Sequence, residues 1–414
     1  MVRDPVAALM HPAPRIVVFS SLFPSSVRPT AGVFIRERMF RVGAQLPLTV
    51  VAPVPYFPLQ GLIRRWRPNY RPLPKPVEEQ QGFRVHYPRF LAVPGLFRTL
   101  DGLSMALCCL PLLWRLKKQG YNLIDAHFAY PDGYAATRLG RWLHLPVTIT
   151  LRGTEAPQAR CPRRRRLMLA ALASAQRVFA VAESLKRLVT ELGAEAGKIQ
   201  VVGNGVDTEI FHPVDKAEAR RALGLPPAAP VLISVGGLVE RKGFHRVIEL
   251  LPALKRRHPD LHYLVVGGGG PEGDWSARLR RQVAELGLED TVRFLGALPP
   301  ARLKEPLSAA DVFVLATANE GWANVFLEAM ACGLPVVTTE VGGNREVVCR
   351  EDLGRIVPFG QPEALLEALD QALRHPWDRA AIIAYARANA WDGRVAALCQ
   401  AFRELVENTY RDSR

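Results

Sequence analysis

The sequence predicts an α/β protein of two doubly wound domains, each built on a parallel sheet, facing a cleft between them. Two observations carry this. Short β-branched runs alternate with longer helical patterns from end to end, the signature of βαβ units. That alternation also occurs twice: a second series opens at Val231, after the turn-rich stretch Gly203 to Asp207 and Phe211–His212–Pro213.

In the first series the strands are expected at Ile16–Ser20, Leu48–Ala52, Phe83–Tyr87, Leu123–Ala126, Val147–Thr150, Val178–Val181 and Ile199–Val202. Helical stretches fall between them at Val33–Gln45, Leu100–Lys118, Gly133–Leu143, Arg164–Ala175 and Ser184–Leu192. The Pro-rich segment Pro53 to Pro76 breaks the rhythm and reads as a surface loop or flap. In the second series the strands are Val231–Val235, Tyr263–Val266, Val292–Leu295, Val312–Leu315, Val336–Thr338 and Arg355–Pro358, each followed by a helix. The domains therefore span residues 1–205 and 206–390. The tail from Trp377 to Tyr410 is helical and can pack on either domain.

Composition narrows the function classes. With 414 residues, 49% hydrophobic and 22% charged, the chain has the make-up of an ordinary globular protein, which excludes disorder, collagen-like repeats and a small disulfide scaffold. The apolar run Leu103 to Trp114 falls short of the ~20 residues that span a bilayer, and reads as a buried or surface-lying helix. Met1 to Pro14, with Asp4 and several prolines, lacks a secretory pattern, so a cytosolic protein is expected. Six cysteines without a C-x-x-C pair read as reduced thiols rather than a zinc site.

Charge is uneven. Residues 1–200 hold 29 Lys and Arg against 11 Asp and Glu, whereas residues 201–414 hold 25 against 28. The clusters Arg64, Arg65, Arg67, with Trp66 beside them, and Arg163 to Arg166 suit nucleic acid, an anionic membrane or an acidic substrate.

In open parallel sheets ligands bind beyond the carboxyl ends of the strands, so the strand-to-helix loops matter most. One is Ser234 to Gly243, where Gly236 and Gly237 allow close backbone approach and Arg241 and Lys242 supply two cations for a diphosphate. Another is Ala316 to Asn324, with Asn324 expected as the N-cap of a short helix ending at Gly333. Its free amides would attract phosphate, and Glu320 and Glu328 would accept sugar or ribose hydroxyls. A third is Val266 to Gly273. Gly268, Gly270 and Gly273 satisfy G-x-G-x-x-G, but Pro271 and Gly273 delay the helix, so the loop reads as a flexible rim on a nucleotide pocket rather than a dinucleotide fingerprint. In the first domain, Thr30 to Phe34 opens a helix, and Asp125 to Phe128 and Thr150 to Glu155 follow strands; His127 alone reads as a buried histidine, and Arg152 and Glu155 as partners of each other. H-E-x-x-H, D-x-D, G-x-S-x-G and Walker A patterns are all missing, which leaves metal and serine-hydrolase chemistry without a foothold.

Those loops, in that order, resemble the retaining family 4 glycosyltransferases of GT-B fold, in which two Rossmann-like domains face an interdomain cleft. The resemblance rests on Asn204–Gly205–Val206–Asp207, Gly236–Gly237 with Arg241–Lys242–Gly243, the Gly267–Pro271 loop, and above all Glu320 and Glu328 as E-x(7)-E followed by Gly333–Leu334–Pro335–Val336–Val337. It departs from the family at Arg152–Gly153–Thr154–Glu155, where many members carry His-Gly-x-Asp, and at Trp322–Ala323–Asn324.

The resemblance implies transfer of a hexose from a UDP- or GDP-sugar, without a metal or other cofactor. Arg241 and Lys242 would neutralise the diphosphate, Glu320 would hold the donor-sugar hydroxyls, and Glu328 the ribose. Gly236, Gly237, Gly269 and Asn324 would help bind the donor, the backbone amides of Val325 and Phe326 would touch phosphate, Leu295–Gly296–Ala297 would border the base, and Gly32 would complete the phosphate site from the first domain. His127, Arg152 and Glu155 would meet the acceptor, and the helix from about 391 to 414 would return to the first domain. Transfer on the front face with retention leaves Glu320 no role as a double-displacement nucleophile. The basic first domain suits a lipid-linked or polysaccharide acceptor at the anionic inner face of the cell membrane, with peripheral attachment. A nucleotide-sugar epimerase or phosphorylase of the same layout is the enzymatic alternative, though no loop argues for a lysine-bound pyridoxal. A nucleic-acid-binding protein ranks lower, because aromatics make up 8% and no recognised module is present.

Overall fold

Runs that are apolar at every position need cover on both faces, so they become inner strands of parallel sheets flanked by helices. The structure, a computed structural model, describes residues 13–66, 70–93, 98–270 and 272–412. Residues 1–12, Arg67 of the first basic cluster and Pro271 of the glycine loop lie outside the described residues. The chain divides into two units: one runs to Gly203 and takes back the segment from Arg394 onward, the other is Asn204–Gly393.

The first unit holds strands β1 (Ile16–Phe19), β2 (Leu48–Val51), β3 (Val54–Tyr56), β4 (Val77–Gln80), β5 (Phe83–His86), β6 (Arg89–Leu91), β7 (Leu123–His127), β8 (Val147–Leu151), β9 (Arg177–Ala180) and β10 (Ile199–Val201). Eight of them form one sheet in the order β10-β9-β8-β7-β1-β2-β5-β4, parallel except for β4. The remaining pair, β3 and β6, forms a small parallel sheet of its own. The helix Trp391–Asp412 carries Phe402 edge-on against Phe179 at 5.8 Å and Glu404 3.2 Å from Arg177, which ties the tail to the first unit.

The second unit holds β11 (Val231–Val235), β12 (His262–Val266), β13 (Val292–Gly296), β14 (Val312–Leu315), β15 (Val336–Thr339) and β16 (Gly354–Val357), all parallel, in the order β13-β12-β11-β14-β15-β16. The two-residue period of a strand splits its core cleanly. Ile233, Phe313 and Leu315 pack into one apolar layer, while Leu232, Val312 and Val314 pack into the other.

The structure corrects several expectations. Pro53 to Pro76 is not simply a flap: it contains β3 and the helix Gln60–Trp66. Strand β4, Val-Glu-Glu-Gln, has too little apolar character to be read as a strand, and it survives as the antiparallel edge, where polar residues belong. The short helix Glu155–Ala159 fills a stretch read as loop. The run Leu103 to Trp114 lies in the helix Asp101–Lys118, which buries Met105, Cys109 and Leu113 and exposes Leu103, Leu107 and Trp114. All six cysteines are free thiols. Among the described residues, no helix is long and apolar enough to cross a membrane.

Candidate functional site

In the second sheet the strand order reverses between β11 and β14, the position in an open parallel sheet where ligands bind beyond the strand ends. These are the loops that carry Arg241 and Lys242 on one side and Glu320 on the other.

Backbone contacts fix the loops. Gly236 donates to the Val266 carbonyl at 3.0 Å and Leu238 to that of Gly268 at 2.7 Å, which lays the β11 loop on the β12 loop. Gly267 sits at φ +151°, and a Cβ there would lie 1.8 Å from the Gly236 oxygen, so this crossing requires glycine. The Gly267 amide reaches the Gly296 carbonyl at 2.8 Å, and Ala297 flanks Gly268. The β14 loop is tied to Arg241, whose carbonyl accepts from the Ala318 amide at 2.8 Å and whose Nη1 donates to the Asn319 carbonyl at 2.8 Å.

The charges converge on Glu320, which is 8% exposed. Its Oε1 accepts from Lys242 Nζ at 2.6 Å, Arg241 Nη1 at 3.2 Å and Thr317 Oγ1 at 3.1 Å. Arg241 also grips Glu272, through Nη2 at 2.7 Å and Nε at 2.9 Å. That bond, with the Glu320 charge behind it, raises the Arg241 pKa above its ordinary value, and Arg241 in turn holds the Glu272 carboxyl below the usual carboxylate range. Two fixed cations beside a nearly buried carboxylate form a site that can exchange a protein anion for a ligand diphosphate and hydrogen-bond hydroxyls next to it.

The neighbouring helix, Asn324–Ala331, starts without any side-chain cap. Asn324 is not the N-cap expected from the sequence. Ala323 takes that place, because the Asn324 Oδ1 is engaged by Asn204 Nδ2 at 2.9 Å, which ties down the linker instead. The Phe326 amide donates to the Ala323 carbonyl at 3.1 Å in the first turn, and its ring, fully buried, meets Phe313 edge-on at 5.8 Å. Truncating such a ring costs ~3–5 kcal/mol, so it anchors the helix. Val325 is partly buried against the same core. Glu328 stands half-buried one turn in, and its charge is felt by the Cys332 thiol a turn further on.

Leu295 packs on the second-unit core. Gly269 lies against the Asp274 side chain, and Gly270 and Gly273 exchange amide bonds at 2.8 and 3.0 Å, so the G-x-G-x-x-G match is a tight turn that presents Glu272. Gly237 is adjacent to the Gly268 carbonyl. Sequence reasoning missed Glu272, Thr317 and the Gly342–Gly343 turn. A Cβ on Gly342, at φ +50°, would lie 1.7 Å from the Glu320 carbonyl oxygen, and the Gly343 amide donates to that oxygen at 3.3 Å. The glycine doublet after β15 was the available signal.

In the first unit, His127, Arg152 and Glu155 come together. Arg152 Nη2 lies 3.0 Å from His127 Nδ1, and Glu155 accepts the Gly153 and Arg152 amides at 2.7 and 3.3 Å. Asp125 lies 3.4 Å from His127 Nε2 and takes the Thr148 hydroxyl at 2.7 Å. Burial keeps His127 far below its ordinary pKa and pushes Asp125 up to about 6. Glu155 contacts the Arg152 backbone, so these two are neighbours as the sequence suggested, while the guanidinium turns to the histidine. Gly32 caps the helix Val33–Gly43 in the left-handed conformation.

Residues 215–389 match the family described as Glycosyl transferases group 1, and residues 53–210 match Glycosyltransferase Family 4. The chain is 34% identical over 305 residues to a D-inositol 3-phosphate glycosyltransferase of Corynebacterium urealyticum, covering 69% of this chain and 72% of that protein. A relative of the same name from Acidothermus cellulolyticus is 36% identical, with about half of each chain covered (53% and 51%). The putative teichuronic acid biosynthesis glycosyltransferase TuaC of Bacillus subtilis is 28% identical over 80% of this chain and 82% of that protein. Among solved structures, sucrose-phosphate synthase of Thermosynechococcus elongatus aligns with a TM-score of 0.75 at 23% identity over 96% of this chain and all of that one. HepE of Anabaena in complex with UDP aligns at 0.71 and 20% identity, over 95% of this chain and all of that one. The fold they share is two Rossmann-like α/β domains with parallel sheets.

Proposed function

The chain belongs to glycosyltransferase family 4, and from that premise we propose that it moves a hexose from a nucleoside-diphosphate sugar, with retention and without a metal, to a lipid-linked or polysaccharide acceptor of the cell surface. The observation that carries this reading is the meeting of Arg241, Lys242 and Glu320 at the switch point of the second sheet.

The chemistry asks for stabilisation of a diphosphate that gains charge as the glycosidic bond lengthens, and of an oxocarbenium-like sugar. Arg241 and Lys242, with the uncapped start of the helix Asn324–Ala331, supply the first. Glu320 receives the sugar hydroxyls and Glu328 those of the ribose. Two cations at the leaving group take the part a divalent ion would otherwise play, which supports metal independence. HepE was solved with UDP, and the relatives named above act on an inositol phosphate and in teichuronic acid synthesis, in line with a nucleotide donor and a polar or anionic acceptor.

Attachment to an anionic membrane surface belongs to the same reading. Its support is exposed apolar side chains on two helices of the first unit: Leu103, Leu107 and Trp114 on one, near Lys117 and Lys118, and Leu62 and Trp66 (80% exposed) on the other, near Arg64 and Arg65. The test is incubation of the purified protein, with and without a chelator, with membranes and a panel of radiolabelled UDP- and GDP-sugars. Label should enter a lipid or polysaccharide fraction in either condition. No transfer from any donor would refute the reading.

A further inference from the structure

The first sheet has its own switch point, between β1 and β7, where the strand order reverses. The loops leaving those strands are stapled together: the Ser21 amide and hydroxyl both donate to the Asp132 carboxyl, the hydroxyl at 3.0 Å. Over this point lies a cavity of about 350 Å³, large enough for a small ligand, whose wall includes Ser21 from the β1 loop and Tyr130 and Pro131 from the β7 loop.

The charge of this wall is its distinctive property. Among the described residues, Arg28, Arg71, Arg98 and Arg164 line it against a single carboxylate, Asp101. Two of the four guanidiniums are steadied by uncharged oxygens: Arg71 by the Ala92 carbonyl at 2.7 Å and Arg164 by Gln158 Oε1 at 3.1 Å. Arg71 itself is held from behind by Arg64, which donates to the Tyr70 and Arg71 carbonyls at 3.1 and 2.5 Å. Tyr130 closes one side, its hydroxyl fixed to the Arg98 carbonyl at 2.6 Å, and Phe90 offers an apolar face. Four arginines, two of them fixed in place, that share a wall with the rings of Tyr130 and Phe90 suit a phosphate dianion on a carbon body.

We propose that this cavity binds the phosphate or diphosphate group of the acceptor. The idea rests on the reading of the chain as a glycosyltransferase and deepens it, because it assigns the acceptor its charged handle and adds residues outside the His127, Arg152 and Glu155 cluster. The phosphate enters either on a soluble sugar phosphate or on a polyprenyl lipid; the chemistry recognised is the same, a dianion near neutral pH.

The full chain is titrated with glucose 6-phosphate, with glucose and with UDP, and is mixed with phosphatidylcholine vesicles with and without a polyprenyl phosphate. At least one phosphorylated probe should bind where its unphosphorylated counterpart does not, and which one binds identifies the source. Arg98→Gln with Arg164→Gln should weaken that binding roughly ten- to hundredfold while UDP affinity, a property of the second unit, stays as in the parent. If the double Gln chain does not fold, Arg98→Lys with Arg164→Lys should bind the phosphate measurably more weakly, since a lysine cannot make the bidentate contact. The inference falls if neither phosphorylated probe binds better than its counterpart, or if a substituted chain that still binds UDP binds the phosphate like the parent. Failure of the parent to bind UDP would instead strike at the donor reading, whatever the phosphate probes show.

Discussion

Arg241 closes on Glu272 through Nη2 at 2.7 Å and Nε at 2.9 Å, and the same guanidinium reaches Glu320 with Nη1 at 3.2 Å. Glu272 sits on a turn bounded by Gly270 and Gly273 and is about half exposed, whereas Glu320 is nearly buried. The two carboxylates are therefore not equivalent: Glu320 is nearly buried, whereas Glu272, on the proposed reading, occupies the side of Arg241 that the donor's diphosphate would need.

Glu272→Gln removes the competing charge. UDP should then bind the variant severalfold more tightly than the parent, a gain of ~1 kcal/mol or less for an exposed pair. Calorimetric titration at low and high salt reads it. Unchanged or weaker binding would show that Glu272 does not compete with the nucleotide.

Gly342→Ala should act on Glu320 through its backbone, leaving the carboxylate itself unaltered. A Cβ 1.7 Å from the Glu320 carbonyl oxygen forces that loop to move, and the positive φ adds strain of ~1 kcal/mol or more. Transfer rate should fall at least tenfold with only a modest drop in thermal stability; full activity would mean that the loop can shift freely.

Much of the fold is legible because the inner strands are mostly apolar along their length, with few interruptions such as Ser234. Val231–Val235 and Val312–Leu315 need cover on both faces, and the structure gives them the predicted bounds. The elements that escaped are those whose stability comes from partners distant in sequence. Strand β4 is polar and exists because β5 pairs with it, and β3 is three residues paired to β6. At the site, the loops bearing Arg241, Lys242 and Glu320 could be read from strand ends, glycines and charge. Thr317 and Glu272 carry no pattern of their own, since their importance lies in contacts to residues up to 31 positions away. Asn324 misled because its type suits a cap, yet Asn204, 120 residues earlier, takes its side-chain oxygen.

Asp132 makes the first unit sensitive to pH. Burial raises its carboxyl to about 7, above the ordinary 3.8, despite the Ser21 amide and hydroxyl bonds. The folded state thus holds the proton more tightly than the unfolded chain. The resulting stability is complete below about pH 4 and is lost as pH rises through about 7, up to about 4 kcal/mol in all. Asp132→Asn should flatten the fall in stability between pH 4 and 7, read by denaturant unfolding at a series of pH values. An unaltered slope would assign it to other groups, such as Asp125.

Vesicle flotation tests the proposed membrane attachment. The parent should float with vesicles containing anionic lipid and be released by salt, each basic residue near the surface contributing ~1 kcal/mol. Trp66→Ser combined with Leu103→Ser and Leu107→Ser should abolish flotation while leaving UDP binding intact. A parent chain that stays with the soluble fraction at low salt would remove membrane attachment from the account.

The most direct test is the rate of sugar transfer by Arg241→Ala, Lys242→Ala and Glu320→Gln, each measured with the donor that the parent chain uses. Loss of one donor of charge stabilisation costs ~3–4 kcal/mol, so each variant should slow transfer by roughly a hundred- to a thousandfold while melting like the parent. Parental rates in folded Lys242→Ala and Glu320→Gln would mean that the sugar nucleotide reacts somewhere else on the molecule.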